Sequence, residues 1–414
     1  MTSATVPETP FVRWPERFAY ASVLAALVFT VLKGLVTRPH DWALTQLHFN
    51  YRHGLVRRGL VGQLLEVFHA GKRPPVVFEL DCSLSGVLLI AWLLLLVREI
   101  RSRLSVQPLR SSLGMLRLAA VLLFVSSPAI WNLAVCSGYL DPILLMLGLG
   151  MVACRSKHFV VACFLAAIAI FVHEMAGLLL APLLLFFAFE PTARWGVTWR
   201  RAVTAAVALA VLGGLTLFMA RRFPSQALER ELLERKWTPD HWVHQVCDLL
   251  RLRNEVTFDK FRDAHAMARF RANGALCFPA SFALMAAGIL RLRGANISKG
   301  ATWIGALMLA VASWSVLVVN LVAFDQTRIF ALANLQAFLA FCMRDRKLEG
   351  IDGAPRPWTM NVFVPVTLVV LVLGLLTPMR FTYLPQMARW VPPSFDARLW
   401  DPLGKLGEKI GTFK

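Results

Sequence analysis

The stretch His53-Gly-Leu-Val-Arg-Arg-Gly-Leu-Val-Gly62 sets two adjacent arginines, Arg57 and Arg58, between two copies of Gly-Leu-Val. A guanidinium is a planar fork that grips phosphate through two charge-assisted hydrogen bonds, and glycines let a backbone come close to an anion. The same residues also fit an amphipathic helix at a membrane surface with its arginines snorkelling to water. Glycines weaken such a helix.

Five further sites have chemical potential. His173-Glu174 interrupts an otherwise apolar run from Phe159 to Phe189. A hydrogen-bonded imidazole and carboxylate can orient a substrate or shuttle a proton, or simply satisfy each other at a helix junction. A His-Glu-x-x-His zinc site is excluded, because Gly177 stands where the second histidine belongs. Asp141, followed by Pro142, suits an N-cap with proline in the first helical position, and a carboxylate there can also face a cavity. In Asp325-Gln-Thr-Arg328, Arg328 is a candidate to hold a phosphate and Asp325 a divalent metal or a hydroxyl. Asp41 is an early acidic residue in a long loop. His241, His244 and Asp248 share a helical face, a pattern that fits a metal site or an ordinary solvated surface.

These residues punctuate a chain built of apolar blocks: Phe18–Val36, Cys82–Val97, Leu118–Ile130, Pro142–Cys154, Phe159–Phe171, Met175–Phe189, Ala202–Ala220, Ala275–Leu290, Ala301–Phe324, Ile329–Met343 and Val362–Pro378. Hydrophobic residues make up 57% of the 414, above the roughly 45–50% of soluble domains. The blocks predict an all-α polytopic transmembrane bundle of about eleven spans, some short enough to be half-spanning or re-entrant.

Arginine and lysine gather between alternate blocks. With the N-terminus (1–17) in the cytoplasm, the inner segments carry Arg98/Arg101/Arg103/Arg110, Arg155/Lys157, Arg194/Arg200/Arg201, Arg291/Arg293/Lys299 and Arg344/Arg346/Lys347/Arg356. The short outer turns carry Arg328 alone. That bias sets the orientation and places the tail 379–414 outside, with Trp390 and Trp400 as interfacial anchors. It also puts every candidate listed above on the outer side of the bundle 18–378. The outer loops 37–81 and 221–274 are long, and the second contains amphipathic stretches at 227–237 and 241–252. These predict helices lying in the outer interface, apolar face down.

The net charge of +19 is spread between apolar blocks and forms no single basic face, which argues against a nucleic-acid partner. The seven cysteines are scattered without a Cys-x-x-Cys pair and predict no disulfide framework.

The order of motifs carries a family resemblance. An early outer-loop Asp41 is followed by Gly-x-x-Arg-Arg-Gly-Leu-x-Gly, a Gly-Tyr-Leu-Asp helix start, the His173-Glu174 junction and a late Asp-x-x-Arg. This resembles bacterial multi-spanning sugar-transfer proteins of the GT-C type and the related EpsG-like and Wzy-like polysaccharide polymerases, over most of the chain but as sparse motifs. The resemblance implies an inner-membrane enzyme that takes a polyprenyl-phosphate-linked sugar and passes it to a glycan or lipid acceptor at the outer membrane–water boundary. It also implies that an acidic residue of the first outer loop serves as base. Asp41 matches by position, although it stands alone rather than in an acidic pair. Asp141, His173 and Glu174 complete the candidate catalytic set, with Arg57, Arg58, Asp325 and Arg328 for substrate. A transporter or flippase of lipid-linked glycans and a non-catalytic membrane scaffold are the other readings. A transporter calls for polar residues spread through the bundle and, often, inverted repeats.

Overall fold

The computed structural model describes residues 21, 23–25, 27–28, 32, 41–104, 111–127, 129–130, 133, 140–154, 158–251, 264–321, 326–349, 351 and 357–376. The first apolar block, the Trp131–Leu140 turn, Asp325 and the tail with Trp390 and Trp400 fall wholly or largely outside them. Helix accounts for 81% of the described residues, and among them no strand forms beyond one isolated bridge between Phe189 and Val197.

The helices in chain order are α1 Asp41–Leu47, α2 Gly59–His69, α3 Pro74–Leu104, α4 Ser112–Val125, α5 Asp141–Ala153, α6 Phe159–Val172, α7 Ala176–Leu179, α8 Leu185–Ala188, α9 Trp199–Ala220, α10 Gln226–Arg235, α11 Asp240–Arg251, α12 Ala264–Gly294, α13 Lys299–Trp314, α14 Gln326–Lys347 and α15 Pro357–Leu376. Local chemistry sets several starts. The hydroxyls of Ser111, Ser225 and Ser298 accept from the backbone N–H three residues on, at 3.0, 3.1 and 3.1 Å, and so begin α4, α10 and α13. A 3₁₀ turn containing Pro182, Ala181–Leu184, separates α7 from α8. The block Met175–Phe189 is therefore broken into three short pieces.

Three helical stretches are long and apolar enough to cross a membrane: Pro74–Leu104, Trp199–Ala220 and Lys299–Val318. Their outward faces are apolar, with Val87, Leu94, Val207, Val211, Leu217, Trp303 and Leu307 exposed. Water would not tolerate such faces at this extent, whereas lipid does. Shorter apolar helices (112–125, 141–153, 159–172, 176–188 and 360–370) pack among them.

The axis of the bundle is α14. Every residue from Arg328 to Asp345 is buried, and the helix packs against α4, α5, α12 and α13. Its mid-length polar groups are spent on joining elements. Gln336 donates to the Leu178 carbonyl (2.8 Å) and to Ser315 Oγ (2.6 Å), and accepts from the Val316 amide (3.2 Å).

The predicted amphipathic helices exist as α10 and α11, but their apolar faces are not turned to lipid. Leu228, Leu232, Val243, Val246, Cys247 and Leu250 are buried with Phe49 and Val56 in a small second core. The loop before α2 supplies apolar surface within reach, so this loop and the α10–α11 segment pack on each other.

Candidate functional site

The chain reverses sharply between α6 and α7. His173 is extended (φ −156°, ψ 124°), and its amide still closes the last turn of α6 on the Ala169 carbonyl (2.8 Å). This delivers the side chains of His173 and Glu174 to one end of the bundle, where α5 and α14 begin.

The Arg57–Arg58 segment arrives from the other side. It forms no helix of snorkelling arginines. Arg58 is the residue before α2 and sits in the left-handed region (φ 65°), which costs a non-glycine residue roughly 1–2 kcal/mol. Its guanidinium gains a fork on Glu174, with Nε donating to Oε2 (3.1 Å) and Nη2 to Oε1 (2.7 Å), while Nη1 donates to Gln46 Oε1 (2.9 Å). Gly59 and Gly62 serve chain packing rather than approach to an anion, whereas Gly54 supplies a backbone φ of +105°. A Cβ on Gly62 would lie 2.0 Å from the Phe49 carbonyl oxygen, and one on Gly59 2.4 Å from the Tyr51 ring.

Arg57 is held differently. Its amide donates to the Arg222 carbonyl (3.0 Å), Nη2 donates to the Leu250 carbonyl, and the guanidinium lies over the Phe223 ring at 5.4 Å. Nη1 is 3.8 Å from Glu174 Oε1, and the buried Nε has no hydrogen-bond partner.

Arg328 makes the second fork. Nε and Nη2 donate to Asp141 Oδ2 and Oδ1, both at 2.6 Å. Asp141 is therefore not a cap: the residue before α5 is Leu140, no side chain caps the helix, and the carboxylate turns inward. His173 lies between the two ion pairs, its Nε2 3.5 Å from Arg328 Nη2 and its Nδ1 3.4 Å from Glu174 Oε2. The ring has two hydrogen-bonding modes. With a proton on Nδ1 it donates to Glu174 and accepts from Arg328. With Nδ1 bare it accepts from the Met175 amide (3.2 Å).

Six of the eight predicted site residues thus meet in one cluster, with Asp141 and His173 almost fully buried and Glu174 and Arg328 nearly so. The backbone of Asp41 opens α1, the helix that carries Gln46, but its side chain, like all of Asp325, lies outside the described residues. Among the described residues, three guanidiniums face two carboxylates, so one positive charge is in excess. The His241/His244/Asp248 face does not assemble a metal site. His244 Nδ1 pairs with Glu229 (2.7 Å), and the exposed Asp248 is 3.7 Å from Arg251.

Sequence reading missed a second polar cluster at the opposite end. Asp345 is fully buried and accepts from Arg103 (3.0 Å), from Arg117 (2.9 and 3.0 Å) and from Arg291 (3.2 Å). Nearby, Glu99 accepts from Arg103 (2.8 Å) and Arg346 (2.5 Å). The arginines of this end therefore do more than the loop retention that the sequence suggests. The signal was Asp345 itself, an acid within a basic run.

No protein-family model, curated protein or solved structure matches the chain. The functional reading rests on the cluster.

Proposed function

We propose that this chain is a membrane glycosyltransferase that uses a polyprenyl-phosphate-linked sugar at the outer face of a bacterial inner membrane, in synthesis of cell-envelope polysaccharide or glycolipid. The observation that carries this reading is the surplus guanidinium. Arg58 and Arg328 are each forked onto a carboxylate, whereas Arg57 sits beside them with a buried Nε that has no partner. A phosphate brought to that point gains a charge-assisted contact and offsets the excess charge.

In this reaction the acceptor hydroxyl attacks the anomeric carbon, the sugar–phosphate bond breaks, and the polyprenyl phosphate leaves with the bonding electron pair. Arg57 holds that phosphate, and Arg58 and Arg328 fix the surrounding carboxylates. A base must take the hydroxyl proton. Both oxygens of Asp141 accept from Arg328, and both of Glu174 from Arg58, so neither carboxylate has an oxygen free of a guanidinium. Asp41, at the start of the helix that braces Arg58, is the base in this reading, and His173 relays the proton between its two hydrogen-bonding modes. The contact of Arg57 with Leu250 makes α10 and α11 the cover that moves when substrate enters.

The test is sugar transfer from a polyprenyl-phosphate donor in liposomes. Arg57→Lys should lower transfer more than tenfold with folding intact, because lysine lacks the fork. Asp41→Asn should abolish transfer but keep donor binding. Unchanged transfer in Arg57→Lys, Arg58→Lys, Asp41→Asn and Asp141→Asn would remove the assignment. Chain polymerisation of the Wzy type is the same chemistry with a glycan acceptor. A flippase would instead move lipid-linked glycan across protein-containing vesicles without consuming it. The full topology of about eleven spans, with an outer C-terminus, belongs to the same proposal. A reporter active only in the cytoplasm should be silent when fused after Lys414.

A further inference from the structure

A third cluster lies at the start of α3. His48 Nε2 is 2.6 Å from Asp81 Oδ2, and His69 Nε2 is 2.9 Å from Asp81 Oδ1. The three side chains are 1–2% exposed, and their donor atoms all lie within 4.8 Å of one another. The Trp237 ring is near-perpendicular to both imidazoles, its centroid 5.2 Å from that of His48 and 5.1 Å from that of His69.

The charge balance here differs from the rest of the molecule. The other buried carboxylates among the described residues, Glu99, Asp141, Glu174 and Asp345, each face arginine. Asp81 faces two imidazoles and no guanidinium or ammonium group among the described residues. Two neutral imidazoles leave a buried negative charge uncompensated, which is costly, and a divalent cation would supply the missing charge.

We propose that His48, His69 and Asp81 bind one zinc ion that fastens the segment 41–69 to the start of α3. Two imidazole nitrogens and a carboxylate oxygen are donors that zinc accepts, and a fourth position stays open to water. Bond lengths of about 2.0–2.1 Å in a tetrahedral site place donors roughly 3.3 Å apart. The two imidazole–carboxylate contacts of 2.6 and 2.9 Å must therefore lengthen by about 0.4–0.7 Å, and all three donors already lie within 4.8 Å of one another, within reach of small side-chain rotations. The site is separate from the Arg57 cluster. Arg58 precedes α2 and His69 ends it, and an eleven-residue helix is about 16 Å long. The ion is thus placed to hold the loop, not to touch the donor phosphate.

The full chain, purified in detergent and exposed to Zn²⁺ followed by desalting through a mild chelator, should retain one equivalent of zinc by mass spectrometry. A His48→Ala/His69→Ala variant should lose at least nine-tenths of it, and a His241→Ala/His244→Ala variant should keep it. Replacement by Co²⁺ should give the visible absorption of a tetrahedral nitrogen–oxygen site. The proposal fails if the wild type retains no stoichiometric Zn²⁺ or Co²⁺, or if the double variant at 48 and 69 binds as much as the wild type. Should that variant not elute as a monodisperse species, the zinc X-ray absorption spectrum of the wild type decides. A first shell with two imidazoles supports the site, and any other shell overturns it. Sugar transfer is not the readout, so the outcome is independent of the proposed activity.

Discussion

Arg328 and Asp141, 187 residues apart in sequence, join the starts of α14 and α5 through two hydrogen bonds of 2.6 Å. Both are buried, so neither charge has water to fall back on. Replacing either alone by alanine strands the other and should cost about 3–5 kcal/mol. The pair Asp141→Leu/Arg328→Met removes both charges, and its loss should be clearly smaller than the sum of the two single losses. Reversible unfolding in mixed micelles measures this cycle, and additive losses would show that the two residues do not act as a pair.

At the other end, Asp345 serves three arginines, whereas Glu349, one-third exposed, touches Arg103 at 3.3 Å. Asp345→Asn should cost roughly 3 kcal/mol or more, because Arg103, Arg117 and Arg291 lose a shared charge in a dry site. Glu349→Gln should cost under about 1 kcal/mol. Folded yield and melting of the two variants should separate plainly, and equal melting would refute the ranking.

Two glycine substitutions should go opposite ways. In Gly62→Ala the new methyl meets the Phe49 and Leu47 carbonyl oxygens at 2.0 and 2.6 Å, both backbone atoms. The segment bearing Arg57 must shift, and the proposed sugar transfer should fall with it. Gly214→Ala lies mid-helix in α9 with nothing within 4 Å, and should stabilise by about 0.5–1 kcal/mol. Melting temperature and activity of the purified variants check both.

The hairpin of α10 and α11 should loosen in acid. Burial pushes the carboxyls of Glu66 and Glu229 up, but hydrogen bonds and charge outweigh it and hold both below the ordinary 4.5. Arg235 is the chief partner of Glu66, while His244 and Arg251 serve Glu229. A depressed carboxyl stabilises the fold fully above its unfolded value and loses that contribution as pH falls through the folded one. Hydrogen exchange in Gln226–Arg251 should therefore accelerate between about pH 5 and pH 3, and Glu66→Gln should blunt the change. Exchange independent of pH over that range, after correction for intrinsic rates, would rule this out.

How much of this the sequence disclosed follows from the range of each interaction. Helix, apolar blocks and the break at His173-Glu174 are local and were legible. So was the convergence of Arg57, Arg58, Asp141, His173, Glu174 and Arg328, because the orientation expected from the basic segments puts them on one side. Pairing was not legible: Arg58 finds Glu174 116 residues away, and nothing in the spacing distinguishes that partner from Asp141. The glycines around Arg57 looked like an anion cradle because residue type alone does not reveal which carbonyl lies above a missing Cβ. Likewise, an amphipathic helix announces its apolar face but not whether lipid or Phe49 will cover it. The His48/His69/Asp81 trio is brought together by three separate elements and has no sequence signature.

The two ends of α14 have a mechanical consequence. Arg328 is bolted to α5 at one end and Asp345 to α3, α4 and α12 at the other, about 25 Å apart along the axis. A slide or turn by a single residue would break both fastenings at once, so this helix works as a fixed spindle. In the proposed reaction, the movement that admits a lipid-borne substrate would then come from parts clipped on at the rim. The hairpin over Arg57, joined to the loop by partly buried ion pairs and a small apolar seam, is the part that would swing in that reaction.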